Sequence, residues 1–249
     1  MIVFVTGATA GFGAAIAERF IRDGHKVVAT GRRKEKLQAL RDRLGERLST
    51  LQLDVRDAAA VAALPDTLPP AFAEIDVLVN NAGLALGLEP AQRADLDDWI
   101  GMIDTNVTGL ARVTHALLPG MVARNRGHVI NIGSVAGNYP YSGGNVYGAS
   151  KAFVRQFSMN LRADLTGTAL RVTNIEPGLV GGTEFSDVRF KGDKAKAASR
   201  YEGVTALTAD DIAEAVAWVS GLPPHVNINS LEVMPVAQSF AALSITKDR

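Results

Sequence analysis

IVFVTGATAGFG, residues 2–13, runs from an apolar, β-branched stretch straight into a glycine-rich turn, and a helical pattern follows. Four apolar residues in a row, Ile2–Val5, with no polar alternation read as a strand buried on both faces, which is how strands of a parallel sheet look. The turn offers Gly7, Ala8, Thr9, Ala10, Gly11 and Phe12. Glycine permits positive φ and a close approach of backbone to ligand, while a helix N-terminus presents unpaired amides and a partial positive charge. The turn is therefore shaped for a pyrophosphate. Glycine serves many turns for purely local reasons, so the weight comes from the placement between first strand and first helix.

Working outward, the same alternation repeats. Short apolar or β-branched runs at 26–30, 50–54, Val77–Asn80, 128–132, 171–175 and 230–234 predict further strands. Helical patterns at 14–23, 33–44, 99–124 (with Pro119 near its end), 151–165 and 209–220 fall between them. This predicts an α/β fold: one Rossmann-like doubly wound domain over residues 1–249, a seven-stranded parallel sheet with helices on both faces, and ligands beyond the carboxyl ends of the strands. Residues 65–70 form a proline-punctuated connection. The segment 179–203 is long, polar and poorly periodic, and reads as a substrate lid.

The bulk composition narrows the chemistry. Lysine plus arginine equals aspartate plus glutamate at 26 each in 249 residues, so no global charge calls for nucleic acid or a membrane surface. There is no cysteine, which excludes disulfides, thiolate metal sites and a cysteine nucleophile, and fits a reducing compartment. His25, His115, His128 and His225 are scattered without metal-ligand spacing, so no metal is expected. The apolar N-terminus has no leading basic stretch and is broken by Thr6, Gly7, Gly11 and Gly13, unlike a secretory signal. No run of some 18 uninterrupted apolar residues suggests a membrane span. A soluble, cytoplasmic protein is expected.

A dinucleotide reader that prefers NAD places a carboxylate at the end of the second strand, on the adenosine ribose. Here that position reads Thr30, Gly31, Arg32, Arg33. Two guanidinium groups suit a 2′-phosphate through charge-assisted bonds, which predicts NADP(H) as cofactor. Asp54, read as closing the third strand, can accept from the adenine amino group with Val55 beside the ring. Asn80, Asn81, Ala82 and Gly83 follow the fourth strand, where small residues admit the ribose.

Tyr147 and Lys151 are four residues apart, and Ser134 lies upstream. On a helix this spacing sets phenol and ammonium on one face, a turn apart. A free phenol has a pKa of about 10, and a cation within ~4–6 Å favours the phenolate by roughly 1–3 units. The lysine is thus expected to bring the tyrosine toward use as a general base, with Ser134 anchoring the reacting oxygen. Together they point to hydride chemistry at a carbinol or carbonyl carbon.

These residues resemble the short-chain dehydrogenase/reductase family, and the resemblance covers nearly the whole chain. It is carried by TGxxxGxG at 6–13, NNAG at 80–83, Asn106, Ser134, YxxxK at 147–151, and Pro177 with Gly178. The resemblance implies that Tyr147 is the general acid/base, that Lys151 lowers its pKa and binds the nicotinamide ribose, and that Ser134 hydrogen-bonds the substrate oxygen. It further implies that Asn106 holds a water linking Lys151 to solvent. VTGATAGFG, ATGRR, NNAGLALG, NIGS, GGNVYGASKAFVRQFS and EPGLVGGTEFSDVRFKGD are similar to the NADP-dependent 3-hydroxy acid dehydrogenases, which act on serine and L-allo-threonine and can reduce malonic semialdehyde. In that subgroup Pro177, Gly178, Leu179, Val180, Gly181, Gly182, Thr183, Glu184 and Phe185 lie along the nicotinamide half of the cofactor. Glu176 departs from the small or apolar residue of the wider family.

A 3-hydroxy acid carries its carboxylate two bonds from the carbinol carbon, so its pocket needs a cation near the tyrosine. Arg189 in the lid is the expected clamp, with Lys191 the weaker candidate. The pattern does not rank L-serine, L-allo-threonine, 3-hydroxyisobutyrate and 3-hydroxypropionate. A rival reading is a carbonyl reductase for uncharged ketones, with Tyr139, Tyr141 and Phe185 lining an apolar pocket. A non-catalytic NADP-binding protein would not need all four catalytic positions. The resemblance also implies a homotetramer, with the Tyr147-bearing helix and the apolar stretch 233–243 in subunit contacts.

Overall fold

The structure, a computed structural model, describes residues 1–199 and 201–239. Seven parallel strands make one sheet in the order β3-β2-β1-β4-β5-β6-β7: β1 Ile2–Val5, β2 Lys26–Gly31, β3 Leu48–Gln52, β4 Val77–Asn80, β5 Gly127–Ile132, β6 Leu170–Pro177 and β7 Ser230–Val233. The helices are α1 Gly11–Arg22, α2 Lys34–Leu44, α3 Ala58–Ala62, α4 Leu64–Thr67, α5 Leu96–Ile103, α6 Leu110–Ala123, α7 Asn145–Asp164, α8 Phe185–Arg189, α9 Lys194–Ser199 and α10 Ala209–Gly221. The chain winds outward from β1 in both directions, so the reversal of strand order lies between β1 and β4, where such sheets bind ligands.

The unbroken apolar run of β1 follows from burial on two faces. Val3 and Val5 pack with Ile16 and Phe20 of α1, Leu37 of α2 and Val216 of α10. Phe4, between them, faces the other way and packs with Val113, Leu117 and Met121 of α6 and Leu161 of α7. Successive side chains of a strand point to opposite faces, and both faces here are covered.

Five expectations need correction. The third strand starts and ends earlier than 50–54, because pairing from Val27↔Leu48 to Gly31↔Gln52 draws the polar Ser49 and Thr50 into the ladder. Asp54 therefore lies in the loop beyond β3 instead of closing the strand. The long helix expected at 99–124 begins at Leu96 and is divided: between α5 and α6 the chain makes a π-helical turn, Asp104–Gly109. The proline-punctuated connection 65–70 holds α4 and a 3₁₀ turn, Pro70–Phe72, with proline in each first turn where its missing N–H costs nothing. In addition, α7 starts at Asn145, which puts Tyr147 and Lys151 together inside it. The lid segment is also less irregular than expected, since it contains α8 and α9.

Two buried polar chains moor the later elements. Asn80 Nδ2 donates to Asn131 Oδ1 (2.8 Å) and Thr114 Oγ1 (2.9 Å), and Asn131 Nδ2 donates to Ser158 Oγ of α7 (2.8 Å). Asn80 is thus committed to tying sheet to helices and is not a ribose contact. Asn106, in the π turn, donates through Nδ2 to Ser150 Oγ (3.0 Å), and Ser150 Oγ donates to the Tyr147 carbonyl (2.7 Å).

Candidate active site

A cavity of about 780 Å³ opens along the carboxyl ends of the strands, from Arg32 and Arg33 at one end to Ser134, Tyr147 and Arg189 at the other. At its middle stands the glycine turn. Gly7 and Gly11 have φ of +68° and +53°, a region that favours glycine. Helix α1 begins there with no side-chain cap and no acid in its first turn, and Gly11 and Phe12 line the cavity. Its first amides are left for an anion. A Cβ on Gly13 would fall 2.4 Å from the Gly7 carbonyl oxygen, so only glycine lets helix and turn close up. Asn81 braces the turn from the far side, donating through Nδ2 to the carbonyls of Thr6 (2.9 Å) and Gly7 (3.2 Å).

At the β2 end, Arg33 donates through Nε (3.2 Å) and Nη2 (2.9 Å) to Thr9 Oγ1 and through Nη1 (2.8 Å) to Glu184. Arg32 lines the same wall and its carbonyl accepts from Gln52 Nε2 (3.0 Å). Asp54 and Val55 reach the cavity, as expected, but Asp54 is paired with Arg56 at 2.6 Å. That guanidinium, chiefly through its hydrogen bonds, holds the Asp54 carboxyl below its usual range. Uncapped amides, φ-positive glycines and paired arginines fit a dinucleotide that carries an extra phosphate on the β2 side.

At the other end, Tyr147 is buried, its ring 5.8 Å from that of Phe185, and Lys151 Nζ donates to the Ile132 carbonyl at 2.8 Å. Ser134 caps the 3₁₀ turn Val135–Gly137; its Oγ accepts from Ala136 N (3.1 Å) and donates to the Pro177 carbonyl (3.5 Å). Burial pushes the Tyr147 phenol up to about 12, against the pull of a hydrogen bond from Ser134; Tyr141 adds to the rise and the Arg189 charge opposes it. Burial alone brings Lys151 down to about 8. Lys151 Nζ lies 5.9 Å from the Tyr147 ring centroid and is engaged by Ile132; the charge of Arg189 pulls the phenol down, and burial outweighs that pull.

The family model for short chain dehydrogenases matches residues 1–194. The chain belongs to the short-chain dehydrogenase family. It is 69% identical over 245 residues to an NADP-dependent 3-hydroxy acid dehydrogenase of Salmonella typhi, covering 98% of this chain and 99% of that one. It is 52% identical over 246 residues to a serine 3-dehydrogenase of Rhizobium radiobacter, covering 99% of this chain and 98% of the relative. Among solved structures, a closed form of serine dehydrogenase complexed with NADP⁺ matches with a TM-score of 0.98 at 64% identity, each chain covered completely.

Against the short-chain dehydrogenase pattern, most expected site residues reach the cavity: Gly7, Thr9, Ala10, Gly11, Phe12, Arg32, Arg33, Asp54, Val55, Asn81, Ser134, Tyr147, Lys151, Pro177, Gly178, Leu179, Val180, Thr183, Glu184, Phe185 and Arg189. Four do not. Ala8 is fully buried in the core below the turn, its amide spent on the Thr30 carbonyl (2.8 Å). Gly181 donates to the Leu207 carbonyl (2.8 Å) and turns toward Tyr201 and Ala206, and Gly182 is a φ-positive turn with no neighbour within 4 Å of a Cβ position. Asn106 sits behind the wall, its Oδ1 accepting from Leu84 N and its Nδ2 donating to the Leu84 carbonyl and Ser150 Oγ. Through Ser150 it is linked to the backbone carbonyl of Tyr147.

Sequence reading missed Arg56, Tyr201, Ala237 and Gln238, which also line the cavity. Tyr201 comes from the far end of the lid segment, and Ala237 and Gln238 arrive because the chain returns after β7; no local motif announces any of the three. Gln238 accepts from Leu179 N at 2.7 Å. Of the two lid cations, Arg189 is buried at the site, whereas Lys191 points away to Asp98 (2.9 Å). Among the described residues, no group of three or more histidines and carboxylates is arranged to hold a metal ion.

The buried ammonium has a measurable cost. A folded-state pKa of about 8 for Lys151, against 10.5 in the ordinary range, means that the folded protein binds fewer protons than the unfolded one between those values. Stability contributed through this group rises with pH across that window and is lowest below it. Lys151→Met is expected to raise the thermal midpoint at pH 7 while lowering activity, with the gap to wild type narrowing toward pH 10. A variant less stable than wild type at pH 7 would show that the ammonium is well compensated.

Proposed function

We propose that the protein oxidises the 3-hydroxyl of small 3-hydroxy acids with NADP⁺ and reduces the corresponding 3-oxo acids, such as malonic semialdehyde, with NADPH. The observation that carries this reading is Arg189: a buried guanidinium 5.4 Å from the Tyr147 ring centroid, held by Tyr141 OH at 2.7 Å and the Gly87 carbonyl at 3.2 Å. It fixes a positive charge beside the group that moves the proton, where a substrate carboxylate two bonds from the carbinol would be met. The names of the relatives and the likeness to a closed, NADP⁺-bound serine dehydrogenase support it.

In this reading Ser134 orients the substrate oxygen and Tyr147, as phenolate, removes its proton. When bound, the nicotinamide of NADP⁺ takes up the hydride from the same carbon. Arg189 serves twice, binding the carboxylate and favouring the phenolate through its charge. Lys151, anchored on Ile132, stands at the ribose side of the phenol, and Arg32 and Arg33 read the 2′-phosphate. Shutting of the lid read at 179–203 excludes water around these groups.

A second reading, reduction of uncharged ketones, is favoured by Tyr139, Tyr141 and Phe185, which do line the cavity. Initial rates with NADP⁺ and NAD⁺ against L-serine, L-allo-threonine, 3-hydroxyisobutyrate, 3-hydroxypropionate and uncharged alcohols decide between them. Activity confined to uncharged alcohols rejects the hydroxy-acid reading, and equal use of NAD⁺ rejects the role given to Arg32 and Arg33. The proposal includes a cytoplasmic homotetramer. Phe153 and Met159 on the outer face of α7 support the assembly, and sedimentation tests it; among the described residues no helix is long and apolar enough to cross a membrane. Of the stretch 233–243, residues 240–243 lie outside the described residues.

A further inference from the structure

Helix α8 is a single short rod, Phe185–Arg189, with a charged residue at either end. Glu184 immediately precedes it and accepts its first backbone bond, from Val188 N at 2.9 Å. At about 1.5 Å per residue, some 7 Å of helix separates the two ends. Each end is fastened to a different wall of the cavity. The Glu184 carboxylate accepts from Arg33 Nη1 (2.8 Å) and from Lys36. Arg189 donates through Nε to the Gly87 carbonyl (3.2 Å), Gly87 N donates back to the Arg189 carbonyl (2.9 Å), and Nη2 donates to Tyr141 OH (2.7 Å).

We propose that Glu184 is a positioning residue that couples the arginine reading the cofactor's phosphate to the arginine reading the substrate's carboxylate, with α8 as the rigid link. The inference rests on the hydroxy-acid reading. Arg33 is shared: two of its nitrogens face Thr9 and one faces Glu184. Arg33 and Lys36 set two positive charges against the single Glu184 carboxylate, and Arg32 adds a third on the same wall of the cavity. The remaining two match a phosphate monoester of about −1.5 to −2, so carboxylate and phosphate are held on one cationic cluster and need not exclude each other. Thr183, one residue earlier, packs against the glycine turn, within 3.5 Å of where a Gly11 Cβ would stand. A cofactor that fixes Arg33 thereby fixes the start of α8, and through it the place of Arg189.

The test is steady-state kinetics with saturating NADP⁺ on L-serine and on L-serinamide, which lacks the carboxylate. Glu184→Gln is expected to raise KM for L-serine by about threefold to fivefold, the range of an exposed ion pair, with kcat nearly unchanged. L-Serinamide is expected to show no such rise, and in an Arg189→Ala background Glu184→Gln is expected to add nothing. Lys36→Ala, which alters no cavity-lining residue, reproduces the serine-only rise in smaller measure. An equal rise for both substrates, or an additive effect in the Arg189→Ala background, overturns the coupling. So does a lower KM for NADP⁺ with KM for L-serine unchanged, which would make Glu184 a competitor of the 2′-phosphate. A Lys36→Ala protein identical to wild type overturns the ion-pair route. Wild-type protein that oxidises both compounds alike overturns the hydroxy-acid reading and the coupling with it, a result separable from failure of the coupling alone.

Discussion

Tyr147→Phe is expected to lower kcat for L-serine oxidation by about 10²–10⁴, the usual contribution of a positioned proton acceptor, while NADP⁺ binding stays within a few-fold of wild type. The phenol is buried against Phe185 and replacing its hydroxyl leaves the ring packing intact, so folding is not at stake. The wild-type pH dependence follows from the raised pKa. Burial holds the phenol near 12, so at neutral pH only a small fraction is phenolate, and the chemical step of oxidation rises with pH, up to tenfold per unit until another step limits. Reduction uses the neutral phenol as acid and is expected to stay level over the same range. The variant should lose the rising limb. A variant with near-wild-type turnover, or a flat wild-type profile for oxidation measured on the chemical step, removes Tyr147 as the base.

Arg189→Ala carries the second large effect. A charge-assisted hydrogen bond to a carboxylate is worth about 1.5–3 kcal/mol, so KM for L-serine is expected to rise by roughly tenfold to a hundredfold, with much less change for uncharged alcohols. A second signature accompanies it. The Arg189 charge pulls the Tyr147 phenol downward, so its loss moves the oxidation profile further to alkaline pH. Arg189→Lys keeps a charge but not the planar fork that spans Tyr141 OH and the Gly87 carbonyl, and should fall between the two. Unchanged KM and kcat for L-serine in Arg189→Ala would end its assignment as the carboxylate clamp.

The sheet was legible because a doubly covered strand leaves an unmistakable trace: Ile2–Val5 and Val77–Asn80 end where their apolar runs end. β3 was misplaced because Ser49 looks like loop, yet the neighbouring β2 supplies the ladder that holds it. The glycine turn, the arginines after β2 and the Tyr147–Lys151 pair were readable because each depends on local spacing. What was not readable depended on burial. The spacing of phenol and ammonium says they share a helix face, but not that both are dry, nor that the ammonium spends itself on Ile132. Asn106 likewise carries a recognisable motif position, while its partners Leu84 and Ser150 come from distant segments.

The π turn at Asp104–Gly109 has a consequence for how this chain can change. It inserts extra backbone between two helices whose outward faces are set independently, α5 by its packing beside α7 and α6 by Val113, Leu117 and Met121 against the sheet. A π turn takes up one residue more than an α turn, so deleting one residue there would leave α6 near its present roll, whereas a deletion at the start of α6 would roll everything downstream by about 100° and carry those three side chains out of the core. Insertions or deletions between 110 and 117 should therefore be tolerated far less well than the loss of one residue from the wide turn, which is the place where this chain can change its length without turning a buried face outward.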